Sequence, residues 1–237
     1  MSAPQQSSVR NQLLAALPPE DFAAIQAHLE PVELELRRVL IEPNQPIEHV
    51  YFMEVGYTSI VTNTDGSKIE IGIIGREGMV GIPVALGVRT TPFECFVQHA
   101  GKGLRMATHH LEEVIDERPS LHRRLLRYAQ AINVQTSGTA FANAEHTVES
   151  RLARWLLMCH DRVDGDDILI THEFLSMMLG VRRAGVTTAT HVLEGNGLIR
   201  AKRGVITILD REKLEGLADN AYGLPEAEYA RLMAEGQ

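Results

Sequence analysis

The spacing of apolar residues changes twice along this 237-residue chain, and each change restricts the fold. From Val9 to about His28 the spacing is helical, with Leu13, Leu14 and Leu17, then Phe22, Ile25 and, just beyond, Leu29. The Pro18-Pro19 pair between these runs reads as a break or a helix start. From about Val32 to Met106 short β-rich runs replace it: Arg38–Glu42, His49–Met53, Tyr57–Thr62 and Lys68–Ile74. Turn signals separate them at Pro43-Asn44-Gln45-Pro46, at Gly56 and at Thr64-Asp65-Gly66. Asp-Gly between alternating runs is a strong hairpin signal. Several short strands at this spacing predict a small antiparallel β-barrel or jelly roll.

The helical period returns after Thr108, first over His109–Glu117 and then beyond Pro119. In the second stretch Leu121, Leu125, Tyr128, Ile132, Gln135, Thr139 and Ala142 recur four and three apart. That is a heptad seam, apolar and then polar, and it predicts a dimerisation helix. The alternative is one amphipathic helix laid on its own barrel, and Gly138 weakens the seam. A further helix runs from Thr147 to Cys159, and Asp164-Gly165-Asp166-Asp167 breaks it.

The segment Ile170 to Ile199 carries the most specific pattern. Thr171 can cap a helix that buries Phe174 or Leu175, Met178 and Leu179. Gly180 stands where a tight turn between helices needs positive φ. A second helix starting near Arg182 would bury Val186, Ala189 and Leu193. Its other face then presents Arg182, Arg183, Gly185, Thr187, Thr188 and His191. Two short crossed helices, the second with a basic outer face, specify a helix-turn-helix. After it, Gly197–Leu209 places two apolar strands around the basic turn Lys202-Arg203-Gly204, the pattern of a β-hairpin wing whose tip can meet phosphate oxygens.

Charge supports that reading locally and not globally. The whole chain carries a formal charge of −8. Between Val181 and Val205, however, Arg182, Arg183, Arg200, Lys202 and Arg203 stand against Glu194 alone. Binding responds to the local field, so the cluster outweighs the sum.

Ile170–Ile199 resembles the helix-turn-helix of the Crp/Fnr family of transcription regulators without a gap, and Val148–Leu157 resembles the helix that opens that family's DNA-binding domain. The resemblance implies an α+β chain: residues 1–108 as a cyclic-nucleotide-binding-like barrel with flanking helices, 109–145 as connecting and dimerisation helices, 146–237 as a winged helix-turn-helix with a tail. It further implies a homodimer on double-stranded DNA, reading an inverted repeat and contacting RNA polymerase. Arg183 falls on the family's base-reading arginine, whose guanidinium matches guanine O6 and N7. Ala184 and Thr188 stand where some members place a glutamate and a second arginine, so the target site differs from the best-known consensus. Thr171, Arg182, Gly185, Thr187, His191, Lys202 and Arg203 complete the expected DNA contacts.

The family's nucleotide site is poorly matched. Met79 occupies the position of its ribose-binding glutamate, and Phe93-Glu94 that of its arginine-serine pair. A cyclic phosphate needs a cation or several N–H groups, and Glu94 repels it, so cyclic AMP in the usual mode is not expected. Thr136-Ser137 matches polar residues that touch the base, and Arg76 and Arg89 are nearby cations for some other anion. No cofactor or metal is expected. Cys95 and Cys159 are too few for an iron–sulfur cluster. His49, His99, His109 and His110 are only nominal axial ligands for haem. As neighbours on one helix, His109 and His110 should point about 100° apart.

Other classes fit less of the chain. A cupin-like metal-dependent enzyme needs His-X-His with further ligands on facing strands, and no such spacing occurs. No nucleophile elbow, Walker loop or dinucleotide fingerprint is found either, so enzyme function is not expected. A winged-helix module that binds only proteins leaves the basic wing unexplained. No stretch reaches the roughly 18 apolar residues of a membrane span. The opening MSAPQQSSVRNQLL lacks the layout of a secretory leader, so the expected location is the cytoplasm.

Overall fold

A computed structural model describes residues 3–64 and 67–235. The elements run α1 (Gln12–Ala15), α2 (Pro19–Gln26), β1 (Glu30–Leu34), β2 (Val39–Ile41), β3 (His49–Thr64), β4 (Ser67–Ile74), β5 (Met79–Val80), α3 (Ile82–Ala85), β6 (Glu94–Ala107), α4 (Thr108–Glu117) and α5 (Pro119–Glu145). There follow α6 (Val148–His160), β7 (Asp167–Leu169), α7 (His172–Leu179), α8 (Arg183–Gly195), β8 (Ile199–Lys202), β9 (Val205–Ile208), α9 (Arg211–Ala218) and α10 (Leu224–Ala234). The chain is α+β, as its two periodicities require.

The chain divides into two compact units that are not contiguous in sequence. One comprises Met1–Ile60, Ile73–Asn133 and Tyr229–Gln237; the other, Val61–Gly72 and Val134–Glu228. The three contiguous blocks expected from the sequence are therefore interleaved at two places. The end of β3 and most of β4 cluster with the second unit, and the C-terminal residues with the first.

The first six strands form one sheet in the order β1-β6-β3-β4, with β2 also on β6 and β5 also on β3. β1, β2 and β5 pair antiparallel with their neighbours. The antiparallel class agrees with the expected barrel or jelly roll; among the described residues no closed barrel is found. Among the described residues no ladder joins β1 or β2 to β4. The strands are also longer than the turn signals implied. His49–Met53 and Tyr57–Thr62 are one strand, because Gly56 takes φ +80° within β3 and not at a turn. A Cβ at Gly56 would lie 2.3 Å from the His99 carbonyl oxygen. Only glycine lets the two strands approach so closely while the backbone bends. The Asp65-Gly66 turn lies outside the described residues.

The core of the first unit draws on α1, α2, both faces of the sheet, α4 and the start of α5. Asn11 pins the N-terminal helices to it. Its side-chain oxygen accepts from the Leu14 N–H at 3.0 Å, and its Nδ2 donates to the carbonyls of Met53 (2.9 Å) and Gly78 (2.8 Å). Tyr229 donates its hydroxyl to the Glu77 carbonyl at 2.7 Å, and Met233 packs on the same core. The thiol of Cys95 is buried, which pushes its pKa up to about 12 and leaves it neutral and inert.

The positions read as a dimer seam are largely covered within the chain. Leu121, Leu125 and Tyr128 belong to the first unit's core and Ile132 packs against it. Gln135 and Ala142 are buried and Thr139 is half-buried in the second unit. The Tyr128 ring fills space left by Gly78, where a Cβ would overlap its hydroxyl. Gly138 has a similar use, since a Cβ there would meet Pro225 at 3.2 Å. Heptad spacing marks an apolar stripe without saying whether its cover is another chain or the same one. Here it is the same one. His109 and His110 also depart from expectation, with ring centroids 4.0 Å apart, and the tilted ring of His28 lies 4.0 Å from that of His110.

Candidate nucleic-acid interface

In the second unit α6 supplies the central core helix, burying Leu152, Ala153, Trp155, Leu156, Leu157, Met158 and Cys159. Thr147 caps it by accepting from the Ser150 N–H at 3.3 Å. Two buried polar side chains secure it to its surroundings. Trp155 donates its indole N–H to Glu70 at 2.7 Å, and Arg154 donates to the Ala221 carbonyl at 2.9 Å and to Thr139 at 3.2 Å. Burial holds the Arg154 guanidinium below its usual pKa.

The two crossed helices form over the expected residues. Thr171 accepts from the Phe174 N–H at 3.2 Å and so starts α7. Leu175, Met178 and Leu179 are its buried face. Gly180 ends it at φ +62°, with Gly180 N–H bonded to Met177 and Val181 N–H to Ser176. That pair of bonds is a Schellman motif, which satisfies two terminal carbonyls and turns the chain sharply. Three residues later α8 begins. It buries Val186, Ala189, Thr190 and Leu193, and Thr190 hides its hydroxyl by donating to the Val186 carbonyl at 2.8 Å.

What α8 leaves outside is the predicted set. Arg182, Arg183, Thr188 and His191 are exposed, and Gly185 and Thr187 are half-exposed. Unlike α7, α8 has no side chain capping its N-terminus and no acidic residue in its first turn. The N–H groups there and the positive end of the helix dipole are open to an anion.

The wing is a three-stranded sheet in the order β7-β9-β8. β8 and β9 pair from Ile199↔Ile208 to Lys202↔Val205, and Gly204 takes φ +79° at the turn. Strand β7 was not foreseen, since its three residues are too short to show a period and stand next to the Thr171 cap. Ile168, Ile199, Ile206 and Ile208 hold the sheet to the core, while Lys202 and Arg203 are exposed at the tip.

A cleft of about 300 Å³ separates α8 from the wing, and Arg183, His191, Lys202 and Arg203 all line it. His172 lines it too, and sequence reasoning missed it. Its Nδ1 lies 3.3 Å from the Thr187 hydroxyl, which itself donates to the Arg183 carbonyl. Nothing in a linear pattern ties His172 to a residue fifteen positions on. Among the described residues, Arg182, Arg183, Arg200, Lys202 and Arg203 make no ion pair. The cations stand free for another partner.

The residues considered for an effector are placed as follows. Met79 is fully buried in the first unit's core. Arg89 is engaged by Glu112 through two bonds, one of them 2.7 Å. Arg76 accepts a 2.6 Å bond at its carbonyl from Gln12, and Phe93 and Glu94 lie at the start of β6. Thr136 and Ser137 belong to the second unit. Among the described residues no group of three or more His, Cys, Asp or Glu side chains is arranged to hold a metal, and no helix is long and apolar enough to cross a membrane.

Residues 150–217 match the sequence model of the Crp-like helix-turn-helix domain. No curated protein matches the chain. Solved structures share its fold. FixK2 from Bradyrhizobium japonicum is 15% identical over 81% of this chain and 98% of its own, with a TM-score of 0.69. A CRP-family transcriptional regulator from Thermus thermophilus is 19% identical over 79% and 96%, at 0.64. The c-di-GMP-responsive global regulator CLP of Xanthomonas campestris is 16% identical over 81% and 99%, at 0.63.

Proposed function

With a Crp-like helix-turn-helix over residues 150–217 and the fold of Crp/Fnr regulators, we propose that this chain is a transcription regulator and not an enzyme, and that it binds double-stranded DNA sequence-specifically as a homodimer. One observation carries the reading: α8 and the wing tip present exposed arginines and a lysine around one cleft, with no carboxylate paired to them among the described residues. α8 enters the major groove and Arg183 takes a guanine edge. Ala184 and the methyl groups of Thr187 and Thr188 meet thymine methyls. Arg182, Lys202 and Arg203 hold the flanking phosphates, and His172, which lines the same cleft, joins them.

Two α8 helices related by a two-fold axis read half-sites about 34 Å apart. Because the heptad seam is used within the chain, the dimer uses other surface of α5, where Leu126 and Phe141 are 39% and 45% exposed. Contact with RNA polymerase follows from the bound position. Cyclic AMP does not control the protein in the usual mode, since Met79 is in the core and Glu94 is an anion where a cation is required.

Selection of duplexes from a random pool, with and without cell metabolites, tests this. Inverted repeats bound with a steep loss of affinity at rising salt are expected. Salt-insensitive binding, or none, sinks the reading and favours a protein-interaction module.

A further inference from the structure

We propose that Glu194 is a positioning residue that sets the wing tip against α8, and so decides which backbone phosphate Lys202 and Arg203 reach. The inference rests on the DNA-binding reading above. Glu194 is the one acidic side chain between Val181 and Val205, in the midst of five cations. A carboxylate beside a DNA backbone repels phosphates within a Debye length of about 8–10 Å. Its presence there calls for a use that offsets the repulsion.

The geometry supplies one. β8 is an edge strand, paired only with β9. The outward N–H groups of an edge strand have no ladder partner. The Ala201 N–H donates to Glu194 Oε1 at 2.7 Å, a short bond to a charged acceptor. Glu194 lies in the last turn of α8, and Ala201 stands immediately before the tip residues Lys202 and Arg203. The bond therefore closes a loop from the reading helix to the wing just where the wing leaves the core. The other carboxylate oxygen lies 3.7 Å from His191 Nδ1 on the exposed face of α8. With the tie in place, Arg183 on one wall of the cleft and Lys202 and Arg203 on the other face a common space of about 300 Å³. Without it, the hairpin stays anchored through Ile199, Ile206 and Ile208 and the tip keeps the Ile170 N–H bond to the Gly204 carbonyl at 3.0 Å, but the tip loses this link to α8.

Two variants of the full chain separate a tie from a mere charge. In Glu194→Gln the amide oxygen still accepts the Ala201 N–H, and the charge is gone. In Glu194→Ala both are gone. Exchange of the Ala201 amide with solvent, followed by NMR without DNA, reads the tie directly. A rate at least roughly tenfold faster in Glu194→Ala, and near wild type in Glu194→Gln, is expected. On the selected duplex, the slope of affinity against salt should fall by about one or two phosphate contacts in Glu194→Ala and persist in Glu194→Gln. Removing Lys202 and Arg203 should then cost Glu194→Ala far less than it costs wild type, because the groups act as one unit. Equal slopes in the two variants, or equal Ala201 exchange in all three proteins, overturn the proposal. A wild-type chain that binds no duplex overturns the DNA reading and this use of the tie with it. That outcome is distinct from failure of the tie itself, which the amide reports without DNA.

Discussion

Three surface cations of the sheet unit are paired with carboxylates, whereas those of α8 and the wing are not. In the first, Arg89 is forked onto Glu112, Arg105 pairs with Glu30 at 2.9 Å and Lys102 with Glu33 at 3.3 Å. In the second, the exposed cations of α8 and the wing have no such partner among the described residues. Exposed ion pairs contribute little stability, typically less than about 1 kcal/mol, so the difference is not about holding the fold. It concerns the field each surface presents. A paired cation is a short-range dipole, whereas a row of unpaired ones attracts a polyanion at a distance. An acidic chain can thus carry a cationic face if its carboxylates are kept elsewhere.

The contrast can be broken or sharpened by substitution. Arg183→Ala should show the largest effect, about 1–3 kcal/mol of lost discrimination at one position of each half-site. Competition binding with single-base variants measures it, and equal loss on every sequence would reduce Arg183 to a phosphate contact. Replacing Lys202 and Arg203 together with alanine should weaken all duplexes roughly 10- to 30-fold at physiological salt and flatten the salt slope by about two. A titration across salt concentrations reads both. Gly180→Ala forces a side chain into the left-handed conformation at φ +62°, at a cost of about 1–2 kcal/mol in denaturant melts. The nearest neighbour of a built Cβ is Ile69 at 3.5 Å, an ordinary contact, so no further steric penalty adds to it. The smallest effect belongs to the paired surface: Arg89→Ala should leave DNA affinity and the unfolding midpoint unchanged. A drop in affinity with that variant would erase the distinction between the two regions.

The reading face was legible because its signals are local. Thr171 caps, Gly180 turns, and Val186, Ala189 and Leu193 bury one side of α8, which leaves Arg182, Arg183 and Thr188 on the other by helical geometry alone. The wing hairpin followed from two apolar runs around a glycine. The missed residues depend on distant neighbours. His172 joins the cleft through Thr187, Glu194 reaches a strand that is adjacent only after folding, and β7 is defined by its pairing with β9. One turn signal in the sheet misled for the same reason: Gly56 serves a close approach to His99 and not a change of direction.

Periodicity along the chain determined which residues form helices, which form strands, and which side of each is apolar, because those properties arise from repeat distances of a few residues. What covers an apolar side was decided only in three dimensions. The stripe from Leu121 to Ala142 has the spacing of a seam between chains, yet Gly78 and Gly138 open space that lets its own chain fill it. The choice turns on the shape of a surface assembled from remote segments, and no repeat within a single helix encodes that shape.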